Sequence, residues 1–394
     1  MARPGRRSAV GPGILAGVVL AGTAAAQPDL DLKGSLSISG VQDDNLFYTS
    51  ESRERDVITR LTPGAEAGLR SDRFSLAGRY SLDVERFAQH PELDSDRARE
   101  FAAFDLQSRP GHRATLSLHG DYVSTLSPGE LNLTTGLAAG RARARRLSVS
   151  PSLGWRLGPG TDWSLGYTQT RDDLAGGVAG DTRAAALGLN HRLSPRDTAS
   201  VGYNYSRYDF EGGAPVAAHT LTLGWDRRFG PQSSLALRAG PRYSAGRFDP
   251  EASLALQHGT ERLQTSLTFA RTLTTVIGLA GTVVTDSVLP AVSFRPVPSL
   301  RLSAAPGYYM IRDPLGGPET RVYRVGLEAS WRLSDWLSLE SAYRRNLQRG
   351  VLGGVSTVGA LQEKIARNTF FLGLVAGRTE TRTKDGGRSA GGPR

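Results

Sequence analysis

The side chains able to do chemistry in this sequence are mostly arginines and carboxylates set among small polar residues. Arg60, Arg70, Arg79, Arg238, Arg242, Arg301, Arg324, Arg332 and Arg344 are interspersed with Glu66, Asp83, Glu85, Asp226, Glu328 and Glu340. Guanidinium groups on one wall would draw anions, whether small solutes or an acidic polysaccharide. The same groups set opposite carboxylates would neutralise each other and hold the shape of whatever carries them. The sequence leaves both readings open.

Catalysis is weakly signalled. The histidines are His90, His112, His119, His191, His219 and His258, and no two stand at metal-ligand spacing. No H-E-x-x-H, G-x-S-x-G, P-loop or dinucleotide fingerprint occurs in a strand-helix context. His119 beside a serine of a neighbouring strand, Ser148 or Ser150, is the one route to a lipid-modifying enzyme; a solvated histidine is the commoner outcome. Asp43, Asp44 and Asn45 lack the ligand spacing of a calcium loop and read as a turn. No catalytic residue, metal or cofactor is expected.

These residues need a scaffold with two unlike faces. Phe74, Leu76, Gly78, Tyr80, Leu82 and Val84 share one parity, and Arg73, Ser75, Ala77, Arg79, Ser81, Asp83 and Glu85 the other. A period of two belongs to a strand. The segment is longer than the five or six residues usual in soluble sheets and suits the roughly 9–11 that a tilted bilayer crossing needs. Leu147 to Leu157, Leu221 to Trp225, Leu235 to Tyr243, Leu327 to Leu333 and Leu337 to Tyr343 alternate in the same way, with small or charged partners. An apolar face for lipid and a polar face for water define a transmembrane β-barrel.

Turn chemistry sets the strand number. Short turns recur near Ser71-Asp72, Pro110-Gly111, Gly158-Pro159-Gly160, Ser194-Pro195-Arg196, Gly230-Pro231-Gln232, Gly259-Thr260, Pro296-Val297-Pro298 and Ser334-Asp335. Glycine, proline, aspartate and serine supply the backbone angles that tight turns require. Between them lie more irregular connections at 45–54, 89–95, 127–140, 173–180, 211–215, 246–249, 274–281, 313–318 and 350–363. Short turns on one rim and longer loops on the other are the asymmetry of outer-membrane barrels, periplasmic and extracellular respectively. Nine loops and eight turns give an all-β, antiparallel, up-and-down barrel of 18 strands, with 16 as the alternative. Aromatics near strand ends, including Trp155, Trp163, Trp225, Tyr243, Tyr308 and Trp331, suit interfacial girdles. Pro63, Pro151, Pro241 and Pro306 fall inside strands, where bulges are expected.

The ends of the chain carry their own signals. Residues 1–26 open with Arg3, Arg6 and Arg7, continue with a short apolar run and close on Ala24-Ala25-Ala26, the pattern of a cleaved signal peptide. The barrel is expected over 27–377 and a disordered basic tail over 378–394. The formal net charge is +10, or +7 without the three leading arginines. Because the arginines are spread thinly and not clustered among stacking aromatics, nucleic acid is not an expected partner. Cysteine is absent and mean hydropathy is −0.30, which excludes a helical membrane protein and a disulfide scaffold.

One stretch carries a resemblance. D-D-N-L-F at 43–47, D-x-I-T-x-L-T-P-G at 56–64 and L-R-S-D at 69–72 resemble the outer-membrane β-barrel porins found with exopolysaccharide biosynthesis operons. The match covers about the first 60 residues after the leader. It implies a signal peptide, an outer-membrane barrel and a role in polysaccharide export or surface attachment; it supplies no catalytic residues. The partners expected are outer-membrane lipid and lipopolysaccharide, the barrel insertion machinery, and exopolysaccharide or its export apparatus. The lack of a terminal aromatic departs from the usual barrel ending. The function expected is a porin-like barrel that passes or guides an anionic solute or exopolysaccharide. The alternatives are a plugged barrel that anchors a surface polymer and a lipid-modifying enzyme.

Overall fold

The computed structural model of the protein describes residues 29–138, 140–316, 319–350 and 364–377. The expected leader and tail lie outside the described residues. The described chain is almost entirely strand: β1 (Asp29–Asp43), β2 (Asp56–Arg70), β3 (Phe74–Phe87), β4 (Ser95–Ser108), β5 (Ala114–Thr125), β6 (Ala144–Gly158), β7 (Thr161–Leu174), β8 (Gly180–Arg192) and β9 (Asp197–Phe210) make the first half. The second half is β10 (Val216–Arg228), β11 (Ser233–Ser244), β12 (Arg247–Gly259), β13 (Leu263–Thr275), β14 (Thr282–Val297), β15 (Leu300–Arg312), β16 (Thr320–Arg332), β17 (Leu337–Arg349) and β18 (Lys364–Gly377). Short 3₁₀ turns at Pro91–Leu93 and Pro128–Glu130 are the only helical pieces among the described residues. Each strand pairs antiparallel with the next, and β18 pairs with β1, which closes an 18-stranded barrel with no free edge.

The two faces differ as the alternation requires. On β1, Leu30, Leu32, Leu36 and Ile38 are exposed, while Ser35, Ser37 and Ser39 oppose Gly64, Thr62 and Arg60 of β2 on the inner face. Leu165, Leu187, Val201, Leu221 and Leu223 continue the exposed band around the wall. In water such a band would cost roughly 25 cal/mol for each Å² of apolar surface. Lipid removes that cost, and closure satisfies the backbone of every strand.

All eight expected short turns lie on one rim. The opposite rim carries loops 44–55, 88–94, 126–143, 175–179, 211–215, 245–246, 276–281 and 313–319, and β17 ends and β18 begins there. One expected loop is corrected: β11 and β12 meet in the tight turn 245–246, where Ala245 and Gly246 both adopt positive φ. The candidate loop 350–363 falls, apart from Gly350, outside the described residues.

The prolines do not mark bulges. Register is unchanged across Pro63, since Leu61 pairs with Val84 and Gly64 with Ser81. The same holds at Pro151 toward β7, Pro241 toward β10 and Pro306 toward β14. At each site the ladder to one neighbour lapses for a few residues while the ladder to the other continues. A missing N–H costs one rung, and the flanking strand holds the alignment. The register shifts lie elsewhere, at Asp83/Glu85, Arg156/Gly158 and Phe294/Val297.

Candidate functional site

Register places every one of the candidate charged residues on the face opposite the apolar band. Arg60 opposes Glu85, Glu66 opposes Arg79, Arg70 opposes Ser75, and Asp83 opposes Arg99. Arg238 opposes Gly224, Arg242 opposes Thr220, and Asp226 opposes Ala236. Arg301 opposes Ser330, Glu328 opposes Ser303, and Arg324 opposes Gly307. Arg332, Glu340 and Arg344 oppose Ser338, Ser330 and Gly326.

Several of these charges are tied to one another. The Arg60 guanidinium donates to Glu85 Oε1 from Nε at 3.0 Å and Nη2 at 2.7 Å. Thr62 Oγ1 donates to Asp83 at 2.8 Å. Arg238 makes a two-pronged bond to Asp226 at 2.9 and 2.8 Å. Arg242 lies between Glu251 at 3.4 Å and Asp249 at 3.5 Å. Arg344 meets Glu328 at 3.2 Å. Arg79 instead lies over the Phe101 ring at 5.3 Å, and Arg324 near the Tyr309 ring at 5.9 Å. Arg70, Arg79, Arg301 and Arg324 form no ion pair among the described residues.

The site has a second component, the 126–143 loop. It leaves the rim between β5 and β6 and turns into the bore instead of outward. Arg146 on β6 anchors its start, donating to Leu131 O at 2.7 Å while its Nε and Nη2 grip Asp172 at 2.6 and 2.7 Å. The loop then crosses. Gly136 sits against the Tyr309 ring of β15, half the ring of strands away from β6. Arg324 Nη2 on β16 donates to Gly129 O at 3.4 Å, and Ala138 N donates to Gln348 Oε1 on β17 at 3.1 Å. Leu137 packs with Val276, Val283, Tyr309, Ile311 and Val322. Ala138 packs with Tyr48 and Ile365.

Two other loops close on it. Asn132 Oδ1 accepts from Ile277 N at 3.1 Å, and Thr134 and Thr274 hydroxyls lie 3.2 Å apart. The 175–179 loop joins 276–281 by a bridge in which Val178 N donates to Gly278 O at 3.0 Å. The buried clusters of the molecule therefore gather at the long-loop end, and the bore toward the short-turn end is polar.

Charge continues along the loop. Glu130 meets Arg99 at 3.2 Å, and Arg141 Nη2 donates to Glu85 Oε2 at 3.1 Å. Enclosure by the wall pushes the Glu130 carboxyl above the usual range, although Arg99 and then Arg60 pull it back. Sequence reasoning missed Arg99, Glu130, Arg141, Arg146 and Asp172. Arg146 was legible by carrying the β6 alternation one step beyond Leu147. The loop residues were not, because a loop has no parity.

The serine–histidine pair does not form. Register sets His119 opposite Ser150, yet its Nδ1 bonds Asp105 at 2.6 Å and its Nε2 faces Asp121 at 3.5 Å. Ser150 and Ser148 bond Thr168 and Thr170 instead. Asp43 to Asn45 open the expected turn, with Asn45 N donating to Asp43 Oδ1 at 3.1 Å and Tyr48 N to Asn45 O at 3.2 Å, and they also form a latch. Asp43 is gripped by Arg367, Asp44 Oδ1 accepts from Asn368 N at 2.6 Å, and Asn45 Nδ2 donates to Ala366 O at 2.9 Å. Asp43, Asp44 and Asn45 thus tie the end of β1 to β18.

No protein-family model matches the chain, and no curated protein matches it. Among solved structures, it is similar to OpdQ of Pseudomonas aeruginosa at 11% identity and TM-score 0.47, covering 88% of this chain and 98% of that one. OccAB4 of Acinetobacter baumannii is similar at 9% identity and TM-score 0.47, covering 90% and 99%. The ferric enterobactin receptor PfeA of Pseudomonas aeruginosa is similar at 11% identity and TM-score 0.46, covering 89% and 81%. These values are too low to bear on function, and the barrel stands on its own strand pairings.

Proposed function

We propose that this barrel is an outer-membrane channel for small anionic solutes, narrowed at its extracellular mouth by the 126–143 loop. One observation carries the reading: a polar bore is crossed by a loop pinned to the wall on both sides. An 18-stranded barrel has a backbone diameter of about 35 Å, wide enough for an aqueous channel. A loop fixed across it divides that width and sets a size limit. Arg70, Arg79, Arg301 and Arg324 leave positive potential on the wall, whereas the paired arginines add shape and little field. The short-turn rim, where β1 begins and β18 ends, is assigned to the periplasm.

The link to exopolysaccharide rests on the N-terminal motif alone, and the pinned loop favours small solutes over a polymer. The same loop supports a second reading, a closed barrel whose loop rim holds a surface polymer. Single-channel recording in planar bilayers with a salt gradient separates them. Steady conductance with a reversal potential on the anion side is expected. A folded barrel with no conductance moves the function to the rim, and cation preference overturns the arginine argument.

A further inference from the structure

The outer wall at the loop rim carries a row of charged side chains just beyond the apolar band. Around most of the barrel their signs compensate. Arg145 opposes Asp173, Arg171 opposes Asp181, and Arg183 and Arg207 each bond an aspartate two residues away at 3.0 Å. Arg271 and Arg312 flank Asp286. At β16–β18 the pattern breaks. Arg321 opposes Arg349, and Arg349 opposes Lys364, so three cations stand in one row across three strands.

Their face is the lipid face, because one parity step along the strands the row becomes Tyr323, Leu347 and Ala366. All three cations are exposed. Arg321 bonds Glu319, while Arg349 and Lys364 form no ion pair among the described residues. A further parity step brings Arg345, which opposes Asn368, itself bonded to Asp44. Among the described residues the acids near this row are thus Glu319 and Asp44, against four cations. Like charges directly opposite in a sheet destabilise it unless an anion lies between them. The tyrosine below, stacked on Tyr308 at 5.1 Å, marks the interface where headgroups begin.

We propose that Arg321, Arg349 and Lys364 form a binding site for the phosphates of an outer-leaflet glycolipid, the bisphosphorylated disaccharide head of lipopolysaccharide. Guanidinium and ammonium groups at headgroup depth meet the phosphates while the acyl chains lie along Val325, Leu327 and Phe370. This inference rests on the outer-membrane reading above.

The test is native mass spectrometry of the refolded full chain, titrated with purified lipid A and with its fully dephosphorylated form. Wild type is expected to retain bisphosphorylated lipid A and to lose about ten-fold or more in affinity when the phosphates are removed or in Arg349→Gln/Lys364→Gln. Arg183→Gln/Arg207→Gln, on the compensated part of the rim, is expected to bind as wild type does. Equal retention of the dephosphorylated lipid overturns the site, whatever the variants do. Equal binding by the β17–β18 double variant overturns it as well. Insertion of wild type into phosphatidylcholine vesicles, read as a heat-modifiable band, is scored separately. A wild type that inserts but ignores the phosphates loses this site alone, and one that never inserts loses the membrane reading and this site together.

Discussion

Asp43 has no exposed surface, and its carboxylate stays buried because Arg367 of β18 grips both oxygens. Removing one partner of a buried pair leaves the other charge uncompensated, at a cost of about 3–5 kcal/mol. Arg344 and Glu328 form the contrasting case, with side chains 70% and 54% exposed, where the pair is worth about 0–1 kcal/mol. Arg367→Met is therefore expected to lower the urea midpoint of the folded barrel far more than Arg344→Met; equal shifts would refute the latch. His90 gives a pH counterpart on the same rim. Its Nδ1 bonds Asp56 and its Nε2 bonds Glu54, both at 2.7 Å, which raises its pKa above the ordinary value, Asp56 contributing most. A raised histidine stabilises the fold fully below about pH 6.5 and loses that contribution as pH rises through the folded value. The urea midpoint is expected to fall over that interval in wild type and to lose this component in His90→Gln. Identical slopes in both proteins would remove His90 from the account. The faces of Arg60, Arg238 and Arg344 were legible from parity alone. Their partners were not, because pairing depends on register between strands, which no single strand encodes.

A strand in this barrel is readable because lipid on one side and water on the other enforce a strict period of two. Eighteen strands follow from turn residues and alternation, and the prolines show where that inference was too cautious. Each costs a rung on one side while the other neighbour preserves the register. Loops obey no such constraint. Nothing in 126–143 signals that it folds inward; Leu137 finds burial only because Tyr309, Ile311 and Val322 face the same bore, and Leu131 only against Ala144, Leu174 and Ile277. Gly136 is the hinge of that arrangement. Its φ is +66°, and a Cβ there would lie 2.7 Å from the Tyr309 ring. Gly136→Val forces a left-handed β-branched residue into contact, a strain of about 1–3 kcal/mol. The loop is expected to leave the wall, raising single-channel conductance and adding current noise, with the melting of the barrel little changed. Unaltered conductance would show that the loop does not set the bore.

At the scale of the whole molecule, the tryptophans gather at one rim. Trp155, Trp163, Trp225, Trp331 and Trp336 all lie toward the short turns, with Trp155 and Trp163 facing each other across β6 and β7. Tyr243 and Phe248 stack toward the loops at 5.0 Å, as do Tyr308 and Tyr323 at 5.1 Å. On β16 the two girdles are represented by Tyr323 and Trp331, eight residues apart. That separation is about 27 Å along the strand and, at a tilt of about 40°, about 20 Å along the barrel axis. The apolar band is thus thinner than the roughly 30 Å hydrocarbon core of an average bilayer. Each ångström of mismatch costs a fraction of a kcal/mol. Refolding into vesicles of lipids with chains of about twelve carbons should therefore be faster, and the urea midpoint higher, than with chains of about eighteen. Because all five tryptophans sit at one interface, their emission should be quenched more by bromines near the headgroup than by bromines at the chain ends. Stability that rises with chain length, or quenching strongest at the bilayer centre, would mean that the girdles do not mark the membrane boundaries and that the band is not the lipid surface.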